Sequence, residues 1–163
     1  MASVSGLSAD HRKKAREIAY KAALLGFQRR DEIHYTQGAM RWQGINENLR
    51  AWKGQFPRHA DCSAFATWCI WNGLAHFNVR DTVNGANWKA GFTGTMLRHG
   101  KRVMHRDNIL RGDCVIYGQK GTVGAHTAIC IGGGMVISHG SEPGPFKLPI
   151  DYRHDIMEIR RYI

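Results

Sequence analysis

The stretch that decides the fold is Asp61-Cys62-Ser63-Ala64-Phe65-Ala66-Thr67-Trp68-Cys69-Ile70-Trp71. It follows a loop marked by Pro57 and then has the composition of a buried helix. Asp61 suits the N-cap position, because its carboxylate can accept hydrogen bonds from the free N–H groups of a first turn. The pattern therefore predicts a helix that begins at Cys62 and ends near residues 72–74.

Cys62 is the candidate nucleophile on this helix. It would lie in the first turn, at the positive end of the helix dipole, where the thiolate is favoured over the thiol. The alternative is a buried structural thiol, which is the interpretation that fits Cys69 better. A nucleophile at this position needs a base from elsewhere in the chain.

The composition indicates one globular domain over residues 1–163, with 43% apolar and 22% charged residues. The formal net charge is +10, so we expect attraction to polyanions such as nucleic acid, anionic lipid or an anionic cell wall. No charged segment followed by an apolar one opens the chain, and no run is long enough to cross a bilayer. We therefore expect synthesis in a cytoplasm without a secretory signal peptide.

The four cysteines are expected to be free thiols. Cys62 and Cys69 would lie about 10 Å apart along one helix, which is too far for a disulfide. Cys114 and Cys130 fall in predicted strands, and no export signal accompanies them.

The remaining pattern predicts helices first and strands afterwards, which indicates the α+β class. A first helix is predicted from Ser8, as N-cap, to Gly26, as stop. Residues 31–60 are irregular and aromatic, and form either a loop pinned to the core or one wall of a groove for a peptide or sugar. The further predicted elements are a short helix at 95–98 and strands at 114–117, 126–131, 135–139 and 156–163.

A glycine-rich hairpin relates two histidines. A two-residue loop at residues 132–133 would pair His126 with His139, and a loop at 133–134 would leave them diagonal on the same face. Only an odd-length loop or a bulge would separate them. We expect their shared face to receive the Cys62 helix, with its other members being Ala128, Cys130, Met135 and Ile137.

This arrangement predicts a catalytic set of Cys62, His126 and His139. His126 would take the thiol proton, and His139 would hold His126 in the correct tautomer and orientation. The same three side chains could instead ligate zinc, but no CxxC, HxxxH or HExxH spacing accompanies them. We expect neither a metal nor a cofactor.

These motifs resemble the NlpC/P60 cysteine peptidases, in the order Cys, His, His. The resemblance implies a papain-like α+β fold, with N-terminal helices packed on a C-terminal antiparallel sheet and the nucleophile at a helix N-terminus. It also implies a metal-free Cys-His-His triad, for which Glu142 is an alternative third member; the related CHAP amidases use Asn or an acid there. The motifs that carry the resemblance are Asp61-Cys62-Ser63, Leu110–Val115, His126–Gly132 and Met135–His139.

Two flanking segments are similar to the peptidase domains of endolysins from phages of actinobacteria. They are Tyr35-Thr36-Gln37-Gly38 with Arg41-Trp42, and Val136–Glu142. Such enzymes cut the stem peptides or cross-bridges of peptidoglycan. The resemblance implies that Asp61 and Ser63 help to hold the substrate and that Tyr35 lines the site.

The expected function is a peptidoglycan hydrolase, a cysteine endopeptidase or amidase, and specifically a phage endolysin. It would act on the bacterial cell wall after release by a holin or from a virion. The partner is then peptidoglycan, with no nucleic acid and no stable membrane insertion, and the oligomeric state is left open. The alternatives are an acyltransferase on the same thiol fold and a basic nucleic-acid-binding module.

Overall fold

The helices form the N-terminal half of the chain in a computed structural model that describes residues 2–163. The first helix begins as predicted, because the Ser8 side chain accepts a hydrogen bond from the His11 N–H (3.1 Å). It continues past Gly26, so the predicted stop there is wrong. A Cβ at Gly26 would overlap the Phe65 ring, so this glycine permits a close helix contact rather than ending the helix. The helices are α1 (Ala9–Gln28), α2 (Gln43–Asn46), α3 (Cys62–His76) and α4 (Thr93–Arg98).

The C-terminal half forms an antiparallel sheet of six strands in the order β3-β8-β4-β5-β6-β7. The central strands are rich in β-branched and apolar residues, as buried strands require. A separate parallel pair, β1 with β2, lies in the aromatic segment that precedes α3. The strands are β1 (His34–Tyr35), β2 (His59–Ala60), β3 (Lys101–Arg102), β4 (Cys114–Tyr117), β5 (His126–Gly132), β6 (Met135–Ser138), β7 (Phe146–Pro149) and β8 (Ile156–Arg161).

Helix α3 is buried between α1 and one face of the sheet. The contact with α1 is close, because a Cβ on Gly73 would clash with the backbone oxygen of Ala15. The main core joins both helices to Ile116, Ile129 and Ile137 of the sheet. A second core covers the opposite face and contains Val115, Tyr117, Ala128, Cys130, Val136, Ile150 and Ile159.

The hairpin between β5 and β6 differs from the prediction in its register. Gly133 and Gly134 form the two-residue loop, both with positive φ, and Gly132 pairs with Met135. A bulge then shifts the register between Cys130 and Gly132, so that Cys130 pairs with Val136.

The bulge places the side chains of β6 on the opposite faces of the sheet from those predicted. His126 and Ser138 lie on the face of the second core, whereas His139 lies on the face that receives α3. The predicted pairing of His126 with His139 on one face is therefore wrong. Ala128 and Cys130, which were expected to contact α3, belong to the opposite face.

All four cysteines are free in the structure. Cys69, Cys114 and Cys130 are fully buried, and Cys62 is partly exposed. Among residues 2–163, no helix is both long enough and apolar enough to cross a membrane.

Candidate active site

Cys62 is the first residue of α3, and Asp61 caps that helix as the sequence predicts. One Asp61 carboxylate oxygen accepts hydrogen bonds from the Ala64 N–H (2.8 Å) and from the Ser63 hydroxyl (3.1 Å). The other oxygen lies 3.5 Å from the Arg41 guanidinium. The cap fixes the direction in which the chain enters the helix, and with it the position of the Cys62 side chain.

The electrostatics of Cys62 differ from the expectation based on the helix dipole. Burial, with a further contribution from the Asp61 charge, raises the pKa of the Cys62 thiol to about 11. Backbone hydrogen bonds to the sulfur, the largest from Thr127, oppose this shift only in part. The resting side chain is therefore a thiol, and it needs a base to become a nucleophile.

His126 is the first residue of β5, directly before the Thr127 N–H that bonds the Cys62 sulfur. The Cys62 sulfur is thus bonded at the end of β5 that carries this imidazole. The ring stacks on Tyr117 of the neighbouring strand, with centroids 6.0 Å apart and planes inclined by 26°. Burial, and then the nearby Arg153 charge, lower the pKa of His126 to about 4, so the imidazole is neutral at pH 7.

Ser138 is the polar partner of His126. Its Oγ lies 2.5 Å from His126 Nε2 and 3.4 Å from the Tyr152 hydroxyl. These three side chains line a surface pocket of about 260 Å³, together with Arg153. Ser138 was missed because its facing depends on the bulge in the hairpin, and Tyr152 because it lies in the turn after β7, outside the hairpin.

His139 lies in the core below the β1 segment rather than behind His126. Its ring makes edge contacts with Tyr35 (5.5 Å between centroids) and with Phe65 of α3 (6.2 Å). Neither ring nitrogen has a hydrogen-bond partner within residues 2–163. Burial lowers the pKa of His139, an effect that the nearby His34 backbone and the Glu142 charge oppose.

Tyr35 lies at the edge of this region, and its pKa is raised by burial and also by the nearby Asp61 charge. Its hydroxyl accepts a hydrogen bond from Gln37 (3.1 Å). Glu142, the alternative third member, accepts a hydrogen bond from the Tyr35 N–H (2.7 Å) and lies 3.3 Å from the His34 imidazole. Its carboxylate thus ties the loop after β6 to β1.

The side chains at the candidate site suit a cysteine nucleophile rather than a metal ion. Within the described part of the chain, no three metal-binding side chains converge. A thiol, a neutral imidazole and a hydroxyl that holds the imidazole are the parts required for nucleophilic acyl transfer.

Comparison with known proteins identifies a family. The sequence profile of the NlpC/P60 family matches residues 48–144, more than half of the chain and a range that contains Cys62, His126 and Ser138. No curated protein matches at a significant level.

The fold is shared with several solved structures. NlpC1 from Trichomonas vaginalis aligns over 91% of this chain and 44% of its own, with a TM-score of 0.59 and 17% identity. A hypothetical invasion protein of Mycobacterium tuberculosis aligns over 96% and 66%, with a TM-score of 0.64 and 15% identity. The peptidoglycan hydrolase RipB from the same organism aligns over 98% and 70%, with a TM-score of 0.63 and 17% identity.

This chain spans less than half the length of the Trichomonas protein and about two thirds of the mycobacterial ones. The helix-on-sheet fold, the capped cysteine and the profile match lead to one assignment: the chain belongs to the NlpC/P60 family.

Proposed function

We propose that the protein is a cysteine hydrolase that cuts amide bonds in the peptides of peptidoglycan. The observation that carries the proposal is the placement of Cys62 on a capped helix start, with its sulfur bonded by the amide that follows His126. Family membership and the fold shared with a peptidoglycan hydrolase support the substrate class.

The first step follows from the protonation states. Because His126 Nε2 is engaged by Ser138, Nδ1 is the nitrogen free to accept the thiol proton. A thiol with a raised pKa and an imidazole with a lowered one do not form a stable ion pair at rest. Proton transfer from Cys62 to His126 therefore accompanies attack of the sulfur on the substrate carbonyl.

The second step releases the amine. Attack forms a C–S bond and places negative charge on the carbonyl oxygen, which backbone N–H groups at the start of α3, including that of Cys62, can stabilise. Collapse breaks the C–N bond, and His126 returns the proton to the leaving amine. Water, deprotonated by His126, then cleaves the thioester and restores the thiol.

Tyr35, Asp61 and Ser63 are proposed to bound the substrate side of the site. The Asp61 charge acts on the Tyr35 hydroxyl, and Ser63 bonds Asp61, so the three residues share one region. Asp61 and Ser63 are already bonded to each other, and this contact holds the wall of the site in one conformation.

The finer assignment is a phage endolysin, which rests on the similarity of the Tyr35 and Val136 segments to such enzymes. The site of action would be the bacterial cell wall, reached from the cytoplasm through a holin or carried by a virion. The net charge of +10 suits attraction to anionic wall polymers. In this assignment neither nucleic acid nor a membrane-inserted state is required.

The experiment is digestion of purified peptidoglycan, with mass spectrometry of the released fragments. The wild-type protein should release peptide fragments with new amino groups, and Cys62→Ala should lower the rate about a thousandfold or more while remaining folded. Undiminished release by Cys62→Ala would refute the proposal. Amine adducts formed when a free amine is added would instead assign an acyltransferase.

A further inference from the structure

We propose that a pair of uncharged hydroxyl groups, Ser138 and Tyr152, positions His126 for proton transfer, in place of a second imidazole or a carboxylate. This inference rests on the proposed function. It assigns a role to two residues that the family resemblance did not point to, and it reassigns the role predicted for His139.

The hydrogen bonds define the pair. Ser138 is buried, and its Oγ contacts His126 Nε2 at 2.5 Å. The same Oγ lies 3.4 Å from the Tyr152 hydroxyl, in the turn after β7. A serine hydroxyl can accept one hydrogen bond while donating another. It can thus accept from Nε2–H and donate to Tyr152, which fixes the tautomer that leaves Nδ1 unprotonated.

The packing holds the ring in one plane. Tyr117 stacks on the imidazole from β4, and its own hydroxyl is held by the Ile150 carbonyl (2.7 Å). Tyr152 packs edge-on against Tyr117, with centroids 5.5 Å apart. The Ser138–Tyr152 pair is therefore anchored to the same aromatic group that supports the imidazole.

The charges around His126 explain why an uncharged partner matters. Arg153 and His139 disfavour the imidazolium, and Asp155, which is ion-paired with Arg153 at 2.6 Å, favours it. Tyr117 stacks on the ring, Tyr152 bonds Ser138, and Cys62 is bonded at the neighbouring Thr127. All three are neutral at pH 7, because burial raises their pKa values. Since Ser138 adds no charge, His126 remains neutral to low pH and stays available as a base.

The test is a set of variants at Ser138, assayed for peptidoglycan cleavage as a function of pH. Ser138→Ala should lower kcat by tenfold or more with little change in KM, because orientation is lost while the pocket remains. Ser138→Thr, which retains the hydroxyl, should recover most of the rate. Ser5→Ala is the control, since Ser5 is an exposed serine of the N-terminal turn outside this pocket, and its rate should equal that of the wild type.

A second readout separates positioning from simple packing. Ser138→Asp would place an anion beside the imidazole and favour its protonated form. The acidic limb of the kcat/KM profile should then move to higher pH, whereas Tyr152→Phe should lower kcat severalfold without moving the limb. A purely structural role of Ser138 would lower the melting temperature but leave the limb unchanged.

The outcomes also distinguish this inference from the proposed function. If Cys62→Ala is inactive and Ser138→Ala is fully active, the positioning role is overturned and the hydrolase assignment remains intact. Cys62→Ala fully active would reject both. A loss of activity in Ser138→Ala that Ser138→Thr does not recover, together with an unshifted Ser138→Asp profile, would also overturn the inference.

Discussion

The carboxylate of Asp61 accepts a hydrogen bond from the Ala64 N–H at 2.8 Å, and the same charge raises the pKa of the neighbouring Cys62. Asp61 thus stabilises the helix start while opposing thiolate formation. An amide at this position would separate the two effects, because asparagine caps helices about as well as aspartate does.

We therefore expect Asp61→Asn to lower the pKa of Cys62 with little loss of stability. The rate of Cys62 alkylation by iodoacetamide, measured against pH, should rise at lower pH in the variant. Asp61→Ala is the control for the cap and should lower the free energy of unfolding by about 1 kcal/mol. A profile that moves to higher pH would contradict the role of the Asp61 charge.

Cys62 should be the thiol that reacts in the folded protein. The other three cysteines are at most 1% exposed, so alkylation of the native chain should add a single group, and four groups should add after unfolding. Intact-mass measurement counts the adducts. With a pKa of about 11, the rate at Cys62 should still increase above pH 9, and a plateau below pH 7 would show a stable thiolate instead.

Stability should fall with acidification because of His126. Its pKa of about 4 in the folded protein lies below the ordinary histidine value of 6.5, so the unfolded state binds more protons between these values. The contribution of neutral His126 to the free energy of unfolding is complete above pH 6.5. About 3 kcal/mol of it is lost as the pH falls through 4. Urea unfolding at pH 7 and pH 4 measures the loss. In His126→Gln the difference should shrink, and an equal loss in that variant would assign it to other groups.

The contact between α1 and α3 requires a glycine at position 73. A Cβ there would meet the Ala15 backbone oxygen, so Gly73→Ala should lower the free energy of unfolding by about 1–3 kcal/mol. Gly38→Ala is the control, because its φ is −74° and its Cβ would have ordinary contact with Thr36. Thermal melts that place Gly73→Ala at or above the wild type would contradict this packing.

The elements that sequence reasoning located correctly are those governed by local chemistry. Ser8 and Asp61 both cap helices as predicted, since a cap depends on residues within one turn. The central strands were located by their apolar runs. Gly26 was misjudged because its role is set by Phe65, which is distant in sequence and close in space.

The positions of the candidate site residues in their elements could be predicted in part for the same reason. Cys62 and His126 stand at the starts of their elements, where the sequence places them without ambiguity. The facing of Ser138 and His139 depends on one unpaired residue, Ile131, and on glycines that all adopt positive φ. Three consecutive glycines allow the hairpin to place either Ser138 or His139 on the face of His126. The pKa of the Cys62 thiol could not be predicted either, because it depends on burial that only the packed core determines.

Because of the bulge at Ile131, Ser138 bonds the imidazole of His126, whereas the next residue, His139, lies against Phe65 on the other face of the sheet. Loss of a single glycine from this turn, or relaxation of the unpaired residue, would rotate the second strand by one place and exchange serine for histidine. A change of one residue in the length of this turn would thus replace an uncharged support of His126 by a titratable one, without altering Cys62, His126 or the helix that bears the nucleophile.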